Sequence, residues 1–113
     1  MIRVTSFIRP HRLEAVKSAV ASLSLTGMTV SDVRGMGNSE ETTEWFGGTD
    51  TGVVALPIRS KIEVVVPDDI ADQVVAAVIG NAQTGEPGDG KIFIERVEDA
   101  IRVRTAEHGD AAV

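Results

Sequence analysis

Short runs rich in branched side chains, several with apolar and polar residues alternating, predict β-strands along this chain. They cover residues 2–9, 29–36, 61–66, 92–97 and 101–105. Two longer runs place apolar residues three and four positions apart, which predicts helices with one buried face. The first covers residues 10–23, where Pro10 suits the first turn, and the second covers about 70–81. The predicted order is therefore β-α-β-β-α-β, followed by a short extra strand.

This order predicts an α+β fold of the ferredoxin-like type, in which a sheet carries two helices on one face. The chain has 113 residues, which supports a single domain over residues 1–113. We expect the face opposite the helices to carry Val4, Ile62 and Val64, and so to expose apolar surface. Such surface favours association, so the sequence predicts a symmetric oligomer.

Residues 37–55 form the longest connection, and they mix glycines with polar and acidic residues. Loops of this length in a compact domain are usually functional or disordered. Trp45 and Phe46 lie within it, and such an aromatic pair either orders against a partner or folds back on the domain. The tail, about residues 106–113, is polar and then small, which predicts a flexible segment.

The charge balance limits the partners of this chain. Its formal net charge is -6, which argues against binding to nucleic acid. There is no cysteine, so disulfides and thiolate metal sites are excluded, and His11 and His108 lack the spacing of a metal-ligand pair. No bound metal is therefore expected. The amino terminus lacks the apolar stretch of a signal peptide, so cytoplasmic residence is expected.

Two short motifs favour an anion site when they are taken together. Residues 88–91, Gly-Asp-Gly-Lys, would let the backbone approach a phosphate closely while Lys91 adds charge, although such a segment also forms simple turns. Arg102 and Arg104 alternate on a predicted strand, which puts both guanidinium groups on one face about 7 Å apart. That pair suits an oligophosphate or, equally, a solvated face with surface ion pairs.

Four blocks of sequence carry a resemblance that covers nearly the whole chain. They are TGMTV at 26–30 with GMG at 35–37, KIEVVVPDDI at 61–70, AQTG at 82–85 with GDGKIF at 88–93, and IRVRT at 101–105. Together they resemble the PII signal-transduction family. The resemblance implies a ferredoxin-like homotrimer that binds adenine nucleotides in clefts shared by neighbouring subunits and catalyses no reaction.

The resemblance also assigns residues to the two ends of the nucleotide. Those expected around the adenine are Phe7, Gly27, Met28, Thr29, Glu63 and Val65. Those expected around the phosphates are Gly35, Gly37, Gly88, Asp89, Gly90 and Lys91. Arg102 and Arg104 are expected to reach the phosphates across the subunit interface. The glycine motifs and the arginine pair would then form one site when subunits meet.

The long loop departs from the family pattern. Ser39 stands where nitrogen-regulating members have a glutamine used for magnesium and 2-oxoglutarate, and Thr51 replaces a tyrosine that is uridylylated in many bacteria. Near the loop base, a lysine of the family is either lost or replaced by Arg59, and Glu86 is an acid where a basic residue is usual. The divergent loop is similar to that of carboxysome-associated PII-like proteins, which respond to bicarbonate with ADP or AMP.

This similarity implies a regulator of inorganic-carbon uptake that binds ADP or AMP in preference to magnesium–ATP. Bicarbonate would be its effector, held by Asn38, Ser39 and Arg59. Trp45 and Phe46 would contact a membrane transporter or another carbon-uptake component. The alternative is a nitrogen-regulatory PII protein that senses ATP or ADP and 2-oxoglutarate. Two further hypotheses are a slow nucleotide hydrolase, for which we can name no base, and a copper-tolerance type of metal-binding trimer.

Overall fold

The computed structural model describes residues 1–36 and 56–113. Several predictions fall on other residues and lie outside this description. They concern Gly37, Asn38, Ser39, Trp45, Phe46 and Thr51.

The secondary structure follows the predicted order. Its elements are strand β1 (Ile2–Ile8), helix α1 (Leu13–Ala21), strands β2 (Thr29–Arg34) and β3 (Ile58–Val66), helix α2 (Ala71–Ala82) and strand β4 (Gly90–Arg96). A 3-10 turn at Pro10–Arg12 leads into α1, because Pro10 fixes the backbone at the first helical positions. Neither helix of the described ranges has the length and apolar character that a membrane crossing requires.

The described strands form one antiparallel sheet in the order β2-β3-β1-β4. In this register, Phe7 on β1 lies between Lys61 on β3 and Lys91 on β4. Thr29 on β2 lies opposite Glu63 on β3. The two strands that follow the helices therefore flank a central pair, which confirms the predicted ferredoxin-like arrangement.

The core lies between the sheet and the two helices. Even-numbered positions of β1 and β3 point into it, since side chains alternate along a strand, and they pack with the valines of α1 and α2. The buried core residues are Ile2, Val4, Ile8, Val16, Val20, Ile62, Val64, Val66, Ala71, Val74, Val78 and Ala82. The expectation that Val4, Ile62 and Val64 lie on the uncovered face is wrong, because their exposed fractions are 1%, 2% and 3%.

The uncovered face carries the odd-numbered positions, and it is largely polar and charged. Its apolar part centres on Phe7 and Phe93, whose rings meet edge to face with centroids 6.0 Å apart. The Lys61 ammonium lies 5.9 Å from the centre of the Phe7 ring and 3.5 Å from a carboxylate oxygen of Glu63. This face can therefore recognise charged groups as well as apolar ones.

The carboxyl-terminal segment corrects a second expectation. Instead of a strand over residues 101–105, the structure has a single bridge between Ile101 and His108. The chain turns back within it, since Ala106 has φ 59° and its amide donates to the Arg102 carbonyl at 2.7 Å. The residues with the alternating pattern therefore form a tight hairpin instead of an extended strand. A 3-10 turn at Gly109–Ala112 follows, while the predicted flexibility of the tail stays a prediction.

Candidate functional site

Among the described residues, two cavities open on the uncovered face of the sheet, at opposite ends of β1. The first, here called the lysine cavity, has a volume of about 490 Å³. Its lining residues are Phe7, Val33, Arg34, Gly35, Met36, Arg59, Pro87, Gly88, Gly90, Lys91 and Phe93. It brings together one residue predicted near the adenine (Phe7), four predicted near the phosphates, and the predicted effector residue Arg59.

The lysine cavity is electropositive. Arg34, Arg59 and Lys91 contribute three cationic side chains, and its described lining contains no carboxylate. The Arg34 guanidinium donates to the Leu56 carbonyl at 3.5 Å, and that of Arg59 to the Ile58 carbonyl at 3.1 Å. Cations held in a concave, partly apolar site attract anions strongly, because field lines are focused there. The arrangement suits an oligophosphate.

The second cavity, here called the glutamate cavity, has a volume of about 580 Å³. Its lining residues are Arg3, Thr26, Gly27, Met28, Thr29, Glu63, Val64, Val65, Arg102, Ala112 and Val113. It collects the other five residues predicted around the adenine, together with Arg102. The described chain therefore presents the predicted site as two halves, each on the same face of the sheet.

The second glycine-rich loop, residues 84–90, is folded around Asp89. One carboxylate oxygen accepts hydrogen bonds from the amides of Thr84 (2.7 Å) and Gly85 (2.9 Å), and the other from the Thr84 hydroxyl (2.5 Å). These bonds, the Thr84 hydroxyl first, lower the pKa of Asp89 to about 2. Although predicted beside the phosphates, this carboxylate is turned into its own loop, and Asp89 does not line the lysine cavity.

Arg102 and Arg104 do not share a strand face, since the predicted strand is replaced by the hairpin. Arg102 lines the glutamate cavity, and its guanidinium lies 3.7 Å from a carboxylate oxygen of Glu107. Arg104 lies on the exposed turn of the hairpin and lines neither of the two cavities. The arginines thus occupy different positions relative to the cavities of their own chain.

The hairpin that carries Arg102 is held by Asp99. Its carboxylate accepts hydrogen bonds from the His108 ring (Nδ1, 2.7 Å) and from the amides of Ala100 (2.9 Å) and Gly109 (3.0 Å). These bonds, that of His108 first, lower the pKa of Asp99 below its ordinary 3.8. Because the folded state lowers this pKa, the bonds contribute stability above pH 3.8, and that stability is lost as pH falls through the lowered value.

Replacing His108 with alanine should raise the pKa of Asp99 toward its ordinary value, because the bond with the largest effect is removed. An NMR titration of the side-chain carboxyl carbons measures this directly. Asp68 is the control, since its lowered pKa comes first from the terminal ammonium and then from Arg96. An unchanged Asp99 titration would contradict the assignment of this shift to His108.

Sequence reasoning missed several residues that line the cavities, Arg3, Arg34 and Phe93 among them. Phe93 had an available signal, since it lies two positions after Lys91 and therefore shares its face of β4. Arg34 adjoins the predicted Gly35 but carries no motif of its own. No cluster of three or more His, Cys, Asp or Glu that could hold a metal occurs in the described ranges, and the absence of a metal stays a prediction.

Comparisons with known proteins identify the family. Residues 1–107 match the family model described as "Nitrogen regulatory protein P-II". The chain is 46% identical to "Nitrogen regulatory protein P-II 1" of Escherichia coli (strain K12), over 113 residues and the whole of both chains. It is 45% identical to "Nitrogen regulatory protein P-II" of Klebsiella oxytoca and 42% identical to the protein of that name of Haemophilus influenzae, again over both whole chains.

These relatives correct the main functional prediction. The expected bicarbonate-responsive regulator of carbon uptake is wrong, because full-length relatives are named nitrogen regulatory proteins and support the alternative. That prediction rested on a few loop positions, Ser39 and Thr51 in particular, whereas the similarity extends over the whole chain. Neither a carboxysome-associated subtype nor a carbon-uptake partner has support. The chain belongs to the PII family of regulators, whose members form trimers and bind adenine nucleotides.

Proposed function

We propose that this chain is a nitrogen-regulatory PII protein that binds ATP or ADP at a composite site between subunits and catalyses no reaction. The lysine cavity of one subunit would hold the phosphates, and the glutamate cavity of its neighbour would hold the adenosine. The observation that carries the proposal is the charge of the lysine cavity, with three cationic side chains and no carboxylate in its described lining.

The volumes of the two cavities suit a small-molecule ligand, and the residues of the lysine cavity suit its phosphates. Each has a volume within the range of about 300–1,000 Å³ that is usual for small-molecule sites. The lysine cavity presents Gly88 and Gly90, where the absence of side chains lets backbone amides approach a phosphate. A neighbouring subunit could bring Arg102 or Arg104 to the same anion, since both lie on the carboxyl-terminal hairpin.

The glutamate cavity has the chemistry that a neutral purine needs. Met28 offers a polarisable apolar side chain for the face of the base. The Glu63 carboxylate can accept a hydrogen bond from an exocyclic amine, and backbone groups at Gly27 and Thr29 add directional partners. Adenine carries such an amine, whereas guanine presents a carbonyl at that position. We therefore assign adenine specificity to Glu63 and its surroundings.

Partner contact is assigned to residues 37–55, as the sequence predicts for Trp45 and Phe46. A regulator of this kind acts only if nucleotide binds the states of that segment with different affinities. An effector must likewise bind these states with different affinities. If 2-oxoglutarate is the effector, its coupling to nucleotide should lie in the usual range of about 5- to 150-fold in affinity.

Titration calorimetry with ATP, ADP and AMP, each with and without magnesium and 2-oxoglutarate, tests the proposal. We expect ATP and ADP to bind more tightly than AMP, since each added phosphate meets more of the cationic lining. Failure of every nucleotide to bind at high micromolar concentration would contradict the proposal. Binding that is indifferent to 2-oxoglutarate would exclude that molecule as the nitrogen signal.

A phosphate-release assay on the same samples separates a regulator from a slow hydrolase. No turnover above the rate of the nucleotide alone is expected, because the described lining of the lysine cavity, where the phosphates would lie, holds no carboxylate or histidine that could activate water. Sustained phosphate release by the purified protein would support an enzyme instead.

A further inference from the structure

The end of β1 is tied to the glycine-rich loop 84–90 by one arginine. Arg9 follows Ile8, which pairs with Gly90 across the β1–β4 ladder, so the strand register delivers its side chain to the loop. Its guanidinium donates to the Pro87 carbonyl (Nη2, 2.5 Å) and approaches the Asp89 carboxylate (Nε, 3.5 Å). The side chains of Arg9 and Asp89 are 17% and 22% exposed, so their contact is partly shielded from water.

The Asp89 carboxylate, which Arg9 contacts, also holds the start of the loop. Through its bonds to Thr84 and Gly85, the carboxylate fixes the start of the loop, while Arg9 fixes Pro87. Without these contacts, the loop would be costly to order, because it contains three glycines. Gly85, Gly88 and Gly90 all have positive φ, at 89°, 99° and 120°, a conformation that favours glycine. Glycine loses more backbone freedom on ordering than any other residue.

Asp89 is poorly suited to contact an anionic ligand directly. Both carboxylate oxygens already accept hydrogen bonds within the loop. The lowered pKa, about 2, keeps the group negatively charged at neutral pH, so it would repel a phosphate. Its neighbours Gly88 and Gly90 line the lysine cavity, whereas Asp89 does not.

We propose that Arg9 and Asp89 are positioning residues, which hold the loop so that Gly88, Gly90 and Lys91 line the lysine cavity before any ligand binds. The inference rests on the proposed function, because the cavity must take an anion for its shape to matter. A loop ordered in advance spares the ligand the entropic cost of ordering it. Neither residue needs to contact the ligand to strengthen its binding.

The test compares Asp89→Asn, Arg9→Gln and the double variant with the unaltered protein, using calorimetry with ADP and with adenosine. Each single variant should weaken ADP binding by about 10-fold or more, since either change frees the same loop. The double variant should lose little beyond the worse single one, because the two residues act as a unit. Adenosine, which lacks phosphates, should bind all three variants as it binds the unaltered protein.

The matched control is a second aspartate–arginine pair away from both cavities. Asp68 and Arg96 are joined at 3.1 Å, and Asp68→Asn and Arg96→Gln make the same chemical changes. These variants should leave ADP affinity unchanged. Arg9→Lys should recover part of the loss caused by Arg9→Gln, because an ammonium can reach one of the two acceptors but not both.

The outcomes separate this inference from the proposed function. If the unaltered protein binds no adenine nucleotide, the proposed function fails. If it binds ADP and the Asp89 and Arg9 variants bind equally well, the positioning role is overturned. Independent, additive losses would also overturn it, as would an equal loss of adenosine, which indicates general damage to the fold. If one variant does not fold, the other single variant and Arg9→Lys carry the test.

Discussion

Replacing Gly90 with alanine is expected to lower the free energy of unfolding by about 2–6 kcal/mol, because backbone strain and a steric clash act together. Gly90 has φ 120°, a conformation that residues with a side chain rarely adopt. A Cβ there would also overlap the Phe7 carbonyl oxygen and lie 2.8 Å from the Phe7 carbonyl carbon. These are backbone atoms of the neighbouring strand, so no side-chain rotation can relieve the clash.

Substitutions at two other glycines separate the contribution of backbone strain from that of the steric clash. Gly85 has φ 89° with open space where a Cβ would lie, so Gly85→Ala should cost the strain alone, about 1–3 kcal/mol. Gly80 lies within α2 with equally open space, and Gly80→Ala should stabilise by about 0.5–1 kcal/mol. Denaturant unfolding at one fixed protein concentration measures all three. Equal midpoints for Gly85→Ala and Gly90→Ala would show that the clash with β1 does not matter.

The strands were predictable from alternation, but the face that each residue occupies was not. A period of two identifies two sets of positions without saying which set meets the helices. Val4, Ile62 and Val64 were therefore assigned to the uncovered face, although they pack against Val16 and Val20. The odd positions include Arg3, Lys61 and Glu63, and their charge was the available signal that this set stays uncovered.

The carboxyl-terminal segment shows where local pattern is insufficient. The run Ile101 to Thr105 alternates as a strand does, yet a strand needs a partner to satisfy its backbone groups. Here the chain supplies its own partner by turning at Ala106, and the Arg102 amide donates to the Glu107 carbonyl at 2.9 Å. Pairing over such a short distance depends on the turn, which composition alone did not reveal.

For the candidate site, motifs predicted the residues that lie close together in sequence. The glycines at 88 and 90 and Lys91 do line one cavity. Arg34 at the end of β2 and Arg9 directly after β1 come to the same region, and their positions depend on the register of the sheet. Register follows from many weak contacts, so no spacing rule could have identified these residues.

Replacing Lys91 with alanine is expected to weaken ADP and ATP binding by about 10- to 150-fold, which corresponds to the loss of one charge-assisted hydrogen bond of about 1.5–3 kcal/mol. Lys91 lies on the uncovered face of β4 beside the two cavity glycines, opposite Phe7 in the strand register. It is thus held on a strand, whereas a loop lysine would lose more freedom on binding. Removing it leaves Arg34 and Arg59 as the cationic lining of the described cavity, so binding should weaken and not vanish.

The matched control is Lys17→Ala, which removes an exposed lysine on α1 that pairs with Glu14 at 2.8 Å. It changes the net charge by the same amount without touching either cavity. Calorimetry should therefore show unaltered ADP affinity for Lys17→Ala, and unaltered adenosine affinity for both variants. If the two lysine variants weaken ADP equally, the effect of Lys91 is one of overall charge, and the lysine cavity is not where the phosphates bind.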